Sequence, residues 1–155
     1  MALAATIGLS ACSQNKSGKT PTETKQNNQK QVKEKKMKVT ELTADVFKKQ
    51  VMDYEKHPNE WVFEGERPAV IDFYATWCGP CKATAPVIDE LAGVYDGKVD
   101  FYKVDVDKQE ELAALFGVRS IPTLLFVPKT GKPSMQVGAM NRQQLEDAIK
   151  STLLK

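Results

Sequence analysis

The chain of 155 residues is long enough for one domain with a real core, and its 41% hydrophobic and 27% charged residues are ordinary for a globular protein. That composition excludes a collagen, a coiled coil and a multi-span membrane protein. The net charge of +2 hides a split: residues 13–38 hold eight Lys against Glu23 and Glu34, a balance of +6, while residues 39–155 hold fourteen Lys and Arg against eighteen acids, a balance of −4. A basic tail on a mildly acidic body does not read as a nucleic-acid binder. It suits a tether near an anionic membrane surface better.

In chain order, residues 1–11 are apolar or small and carry no charge. As a helix they would span about 16 Å, half a bilayer core, which is too short to cross a membrane. The length is that of a signal-peptide hydrophobic region. Its end, Leu9-Ser10-Ala11-Cys12, resembles the lipobox of bacterial lipoproteins. That resemblance implies cleavage before Cys12 and lipidation of Cys12. The positive region that normally precedes such a run is absent, and a true start upstream of Met1 would account for it. Two other readings stay open: a chance apolar end with a free Cys12, and translation from Met37, giving a cytosolic protein without tail or lipid. Residues 12–38 are Ser, Thr, Asn, Gln and Lys with almost no apolar side chain, a composition that packs no core. They read as a flexible Lys-rich linker with a root-mean-square span of roughly 28 Å.

From Val39 the pattern becomes globular. Thr43 is placed to cap a helix with Phe47, Val51 and Tyr54 on one face, broken by His57-Pro58-Asn59. Residues 69–75 form a nearly continuous apolar run of strand formers, the mark of a buried central strand. A helix follows with Ile88, Leu91, Ala92 and Tyr95 at helical spacing, and Pro86 is expected to kink it. Residues 99–106 read as a strand, and residues 110–116 as a short helix stopped by Gly117. Residues 123–127 form a second fully apolar strand, and a turn leads into residues 134–137. Asn141 and Gln144 make a capping box for a last helix presenting Leu145, Ala148, Ile149 and Leu153. Strands alternating with helices, then a hairpin and a helix, give an α/β sandwich.

Three cysteines are too few for a disulfide scaffold. Cys78 and Cys81, however, fall where the central strand meets the next helix. A helix start presents unpaired N–H groups and the positive end of the dipole, which favour a Cys78 thiolate, the attacking species. Pro80 suits the first helical turn. Cys81, one turn on and expected to be more buried, is close enough to attack Cys78 and resolve a mixed disulfide. A structural zinc site needs four ligands, and beyond the pair only His57 and the remote Cys12 remain, so no metal is expected. A bridge this short closes too small a loop to be a structural staple. Asp72, the only charge in the central strand, sits six residues before Cys78. If buried, its pKa rises by desolvation, and it is then suited to accept the proton of Cys81.

Residues 70–82, Val-Ile-Asp-Phe-Tyr-Ala-Thr-Trp-Cys-Gly-Pro-Cys-Lys, resemble the active-site segment of thioredoxins almost residue for residue. The resemblance continues through Pro86, Lys103, Ser120-Ile121-Pro122-Thr123, Gly131 and Gly138, so it covers residues 39–155. It is nearest to an extracytoplasmic, periplasmic thioredoxin of a Gram-negative bacterium. It implies a thioredoxin fold, a central mixed β-sheet flanked by helices on both faces, in a monomeric domain. It also implies candidate roles: Cys78 as nucleophile, Cys81 as resolving thiol, Pro122 as a cis-proline facing the disulfide, and Lys103 beside Asp72 as an ion-pair partner. Trp77, Gly79, Pro80 and Ile121 with Pro122 would form the surface that receives substrate. No cofactor is implied beyond the cysteine pair. The departure lies at residues 55–67, longer than usual and carrying Trp61 and Phe63, which are expected to cover an edge of the core.

Gly-Pro between the cysteines resembles reducing thioredoxins, so the expected activity is reduction of disulfides in protein substrates. Outside the cytoplasm such a reductase needs a membrane thiol as electron donor. An oxidase or isomerase on the same fold is the alternative, since that compartment forms disulfides. A non-enzymatic scaffold is the third, and it alone would survive loss of both cysteines.

Overall fold

A computed structural model describes residues 39–155. The apolar segment 1–11, Cys12, the linker 12–38 and Met37 lie outside the described residues.

Among the described residues nine elements follow one another: β1 (Val39–Glu41), α1 (Ala44–Gln50), β2 (Ala69–Tyr74), α2 (Gly79–Val94), β3 (Asp100–Asp105), α3 (Glu110–Leu115), β4 (Thr123–Val127), β5 (Ser134–Val137) and α4 (Arg142–Thr152). The sheet order is β1-β3-β2-β4-β5, with β1 and β2 parallel to β3, and β4 antiparallel to both β2 and β5. The mixed sheet is that of the thioredoxin fold.

Alternation along each strand divides the core into two layers. Ile71 and Phe73 of β2, Val104 of β3 and Leu125 and Val127 of β4 pack with Phe47 of α1 and Leu112 of α3. Val70, Phe101, Leu124 and Phe126 point the other way, onto Ile88, Leu91 and Ala92 of α2 and Leu145 and Ile149 of α4. A strand covered on both faces must be apolar throughout, which is why β2 and β4 read as unbroken hydrophobic runs.

Local signals explain most boundaries. Thr43 accepts the Val46 N–H at 3.3 Å and caps α1, and Asn141 and Gln144 cap α4 reciprocally at 2.9 Å. Gly117, at φ 62°, ends the α3 region with the left-handed turn a side chain resists. One expectation is corrected. Helix α1 stops at Gln50, so Tyr54 is not on it. Asp53 instead organises a separate turn, its carboxylate accepting from Lys56 N–H at 3.2 Å and its carbonyl from His57 N–H at 3.0 Å. Pro86 lies inside α2, and the helix continues through it to Val94.

In residues 55–67, Trp61 and Phe63 pack on the α1/α3 layer as expected, Trp61 edge-on to Phe116 with centroids 6.2 Å apart. Gly65 makes this possible: a Cβ there would run into the Phe63 ring and the Gln50 carbonyl.

Candidate active site

Strand β2 delivers its chain to the end of the sheet, and α2 starts five residues beyond its last residue. Cys78 is the N-cap of α2, and Gly79 and Pro80 are its first two residues. Pro80 has no N–H to leave orphaned at that position. The structure holds the pair oxidised, with a Cys78–Cys81 bond and Cα atoms 5.3 Å apart. The Cys81 N–H points at Cys78 Sγ, 3.2 Å away. In the reduced state the same donor, with the helix dipole behind it, favours a thiolate on Cys78.

Both cysteines are buried, Cys78 at 4% and Cys81 at 3% exposure. The expected contrast in burial is therefore only marginal in the oxidised state. What differs is the neighbourhood. Cys78 is flanked by exposed Thr76, Trp77, Gly79 and Pro80, while Cys81 faces inward beside buried Thr84. Ala75 and the two cysteines form a small cluster against which Tyr74, Val106 and Ile121 pack.

The Ile121–Pro122 peptide is cis, an arrangement that is essentially a proline property. It places Ile121 on the cysteine cluster and buries Pro122. Two bonds brace the loop: Thr123 Oγ1 donates to the Ser120 carbonyl at 2.6 Å, and the Gly138 N–H donates to the Pro122 carbonyl at 2.8 Å. Gly138 sits at φ 101°, a conformation that favours glycine. Trp77 is 69% exposed, and its Nε1–H donates to Asp107 Oδ2 at 2.8 Å. That excludes a core role for Trp77. Asp107 is a site residue the sequence did not reveal, since 30 positions and no motif separate the partners.

Asp72 lies below this surface, in the middle of β2, 4% exposed. Its Oδ1 has no hydrogen-bond partner among the described residues. Burial pushes its pKa up to about 7, against the opposing charge of Lys103. Asp72 and Lys103 are partners in register across β2 and β3. They attract through space without the close contact of a salt bridge, and the Lys103 ammonium lies 5.7 Å from the centroid of the Tyr74 ring. The structure thus brings together Trp77, Cys78, Gly79, Pro80, Cys81, Ile121 and Pro122 at one surface, with Asp72 and Lys103 beneath. Cys12 lies outside the described residues.

The arrangement suits exchange between thiols and a disulfide: a polarised sulfur at a helix start, a second sulfur one turn away, and a buried carboxyl able to hold a proton near neutrality. The family model for thioredoxin matches residues 38–151. The thioredoxin of Borreliella burgdorferi is 48% identical over 109 residues, covering 70% of this chain and 92% of that protein. Thioredoxin 1 of Nostoc sp. is 36% identical over 113 residues, 73% of this chain and 95% of that one. Among solved structures, chloroplastic thioredoxin z matches with a TM-score of 0.60 at 23% identity, over 74% of this chain and 94% of that chain, a likeness of fold. The family match spans nearly all of the described domain, and the chain belongs to the thioredoxin family of protein thiol–disulfide oxidoreductases, with Cys78 and Cys81 as its redox group.

Proposed function

We propose that this protein is a reductase of protein disulfides that works outside the cytoplasm, tethered through a lipid on Cys12 and the linker 12–38. The observation that carries the reducing direction is the Gly79-Pro80 pair between the cysteines, set at the start of α2. Cys78 attacks the substrate disulfide and forms a mixed disulfide. Asp72 takes the proton of Cys81, whose thiolate then attacks Cys78 and releases the reduced substrate. Lys103, beside Asp72, favours the charged carboxylate between turnovers. Trp77, Gly79, Pro80, Ile121 and Pro122 form the receiving surface for an extended substrate segment. A membrane thiol supplies the electrons, since soluble cytoplasmic reductants do not reach that compartment.

The location rests on the sequence Leu9-Ser10-Ala11-Cys12 followed by a polar stalk. The deciding measurement for direction is the reduction potential of the Cys78–Cys81 pair against a glutathione series. A value near the thioredoxin figure of about −270 mV supports a reductase, and one above about −200 mV makes the protein an oxidase or isomerase. Incorporation of labelled fatty acid by the full chain, lost in Cys12→Ser, tests the tether. Absence of label from the unaltered chain would return the two other readings, a free Cys12 or a cytosolic protein translated from Met37.

A further inference from the structure

Helix α2 turns one stripe of side chains to the core, and its buried members are Cys81, Thr84, Ile88, Leu91 and Ala92. Thr84, at 1% exposure, brings the one hydroxyl into that stripe, at a position where Val would fill the same space without a polar atom. A buried hydroxyl needs a partner, and Thr84 Oγ1 donates to the Pro80 carbonyl at 3.2 Å. Back-bonding of this kind is common in helices and by itself gives no role. Ser151 makes its counterpart in α4, on the exposed surface, to the Ala148 carbonyl at 3.3 Å. What sets Thr84 apart is the peptide group that it reaches. The Pro80 carbonyl and the Cys81 N–H are the two ends of one planar amide. That N–H is the one aimed at Cys78 Sγ, 3.2 Å away.

We propose that Thr84 is a positioning residue for Cys78, on the reading that Cys78 is the attacking sulfur: its hydroxyl polarises the Pro80–Cys81 peptide from the carbonyl end and so strengthens the Cys81 N–H bond to the Cys78 thiolate. The chain of bonds runs from Thr84 Oγ1–H to the Pro80 oxygen, through the amide, and from the Cys81 N–H to Cys78 Sγ. Hydrogen bonds linked in this way strengthen one another, by roughly 10–30% per bond. Both ends of the chain are buried, so water does not damp the effect. The Cys81 N–H is also one of the helix-start donors that no intrahelical carbonyl satisfies, which leaves it to the sulfur. A bond to a charged acceptor is about twice as strong as one between neutral groups. Thr84 therefore favours the thiolate over both the thiol and the disulfide.

The titratable and charged groups on the elements around the two cysteines are Tyr74 and Asp72 of β2, Lys82 of α2, Asp105 and Asp107 on either side of Val106, and Arg119 ahead of Ile121. Lys103 stands beside Asp72 in register. Asp107 accepts from Trp77, and Asp105 lies 3.2 Å from Lys108 Nζ. A change confined to the Thr84 hydroxyl leaves every one of these charges in place. A shift in the titration of Cys78 then reads the linked bonds and not an altered charge.

The test uses the full chain with Cys12→Ser, so that only the pair titrates, reduced and followed from pH 5 to 9 by thiolate absorbance and by alkylation with iodoacetamide. The alkylated residue is mapped first. Label on Cys81 in place of Cys78 would overturn the reading of Cys78 as the attacking sulfur, and the role of Thr84 with it. With the label on Cys78, substitutions at 84 decide that role alone. Thr84→Val removes the hydroxyl and keeps the shape, so the Cys78 midpoint should rise by about 0.2–0.4 of a unit. Above that midpoint its equilibrium constant for reduction by glutathione should fall about twofold, or about 9 mV by the two-electron conversion. The Cys81 amide proton of the reduced protein should move upfield, as a weakened hydrogen bond requires. Thr84→Ala, a second way to delete the hydroxyl, should show the same rise. Thr84→Ser restores the hydroxyl and should return the midpoint and the amide shift to their original values, even where loss of the methyl group costs stability. An unmoved midpoint and amide proton in Thr84→Val would overturn the proposal and leave a plain back-bonded threonine. A rise shared equally by Thr84→Val and Thr84→Ser would overturn it as well, since packing and not the hydroxyl would then be the cause.

Discussion

Two carboxyl groups are buried on neighbouring strands, and the fold treats them in opposite ways. Asp105, at the end of β3 and 2% exposed, is provided for: Lys108 Nζ lies 3.2 Å from its Oδ2, and the Asp107 N–H donates to its Oδ1 at 3.2 Å. Its backbone carbonyl also receives the N–H groups of Lys108 and Gln109. These bonds fix the turn from which Asp107 holds Trp77. Asp72, in the middle of β2 and 4% exposed, has an oxygen without a hydrogen-bond partner among the described residues and only the through-space charge of Lys103 beside it. Burial with partners makes a carboxylate a structural strut, whereas burial without them makes it a reservoir for a proton near neutral pH.

The largest effect that separates the two is the pH dependence of stability. The native state keeps the Asp72 proton up to about pH 7, while the unfolded chain releases it near the ordinary 3.8. Between those values the native state binds more protons. The Asp72 contribution is therefore fully present below pH 3.8 and is lost as pH rises through about 7. Over that range the unaltered oxidised protein should lose about 4 kcal/mol relative to Asp72→Asn, read from denaturant midpoints at pH 4, 6 and 8. A constant gap between the two proteins would break the contrast.

A smaller effect is expected at the other carboxylate. Asp105→Ala should destabilise the domain by about 2 kcal/mol at pH 7, because it strips the β3–α3 turn of a buried acceptor. A change under about 0.5 kcal/mol would make the Lys108 and Asp107 contacts incidental. Smallest of all, Asp107→Ala should cost no more than about 1 kcal/mol, since the bond to Trp77 is exposed. Its signature should be a modest rise in KM for a protein disulfide with the pH profile unmoved. A shifted profile would show that the turn and the buried carboxyl are coupled.

Much of this was legible in the sequence because it is written locally. The Asn141–Gln144 capping box, the Thr43 cap, the apolar runs of β2 and β4 and the cysteine spacing each declare themselves within a few residues. Asp72 was conspicuous as the one charge in an apolar strand. The cis bond before Pro122 came only through the resemblance, since one proline in one sequence does not reveal its isomer. Non-local features stayed hidden. Strand β1 is three residues long and exists through its pairing with β3, from Val39 opposite Phe101 to Glu41 opposite Lys103. The end of α1 depended on Asp53 drawing nearby N–H groups into its own turn. The Trp77–Asp107 bond is a product of tertiary packing, without periodicity to announce it.

The two tryptophans of the chain occupy unlike surroundings, and this gives the protein two optical channels. Trp77 is open to solvent and next in sequence to a disulfide, an efficient quencher of indole emission. Its fluorescence should therefore be dim and red-shifted when the protein is oxidised, and should brighten on reduction. Trp61, in the 55–67 segment, is packed against Phe116 with its indole nitrogen shielded. Its emission should be blue-shifted, indifferent to the redox state, and should move only when that packing is lost. A single emission spectrum thus separates a change in the cysteines from a loosening of the domain, and Trp61→Phe leaves a chain whose light reports electron transfer alone.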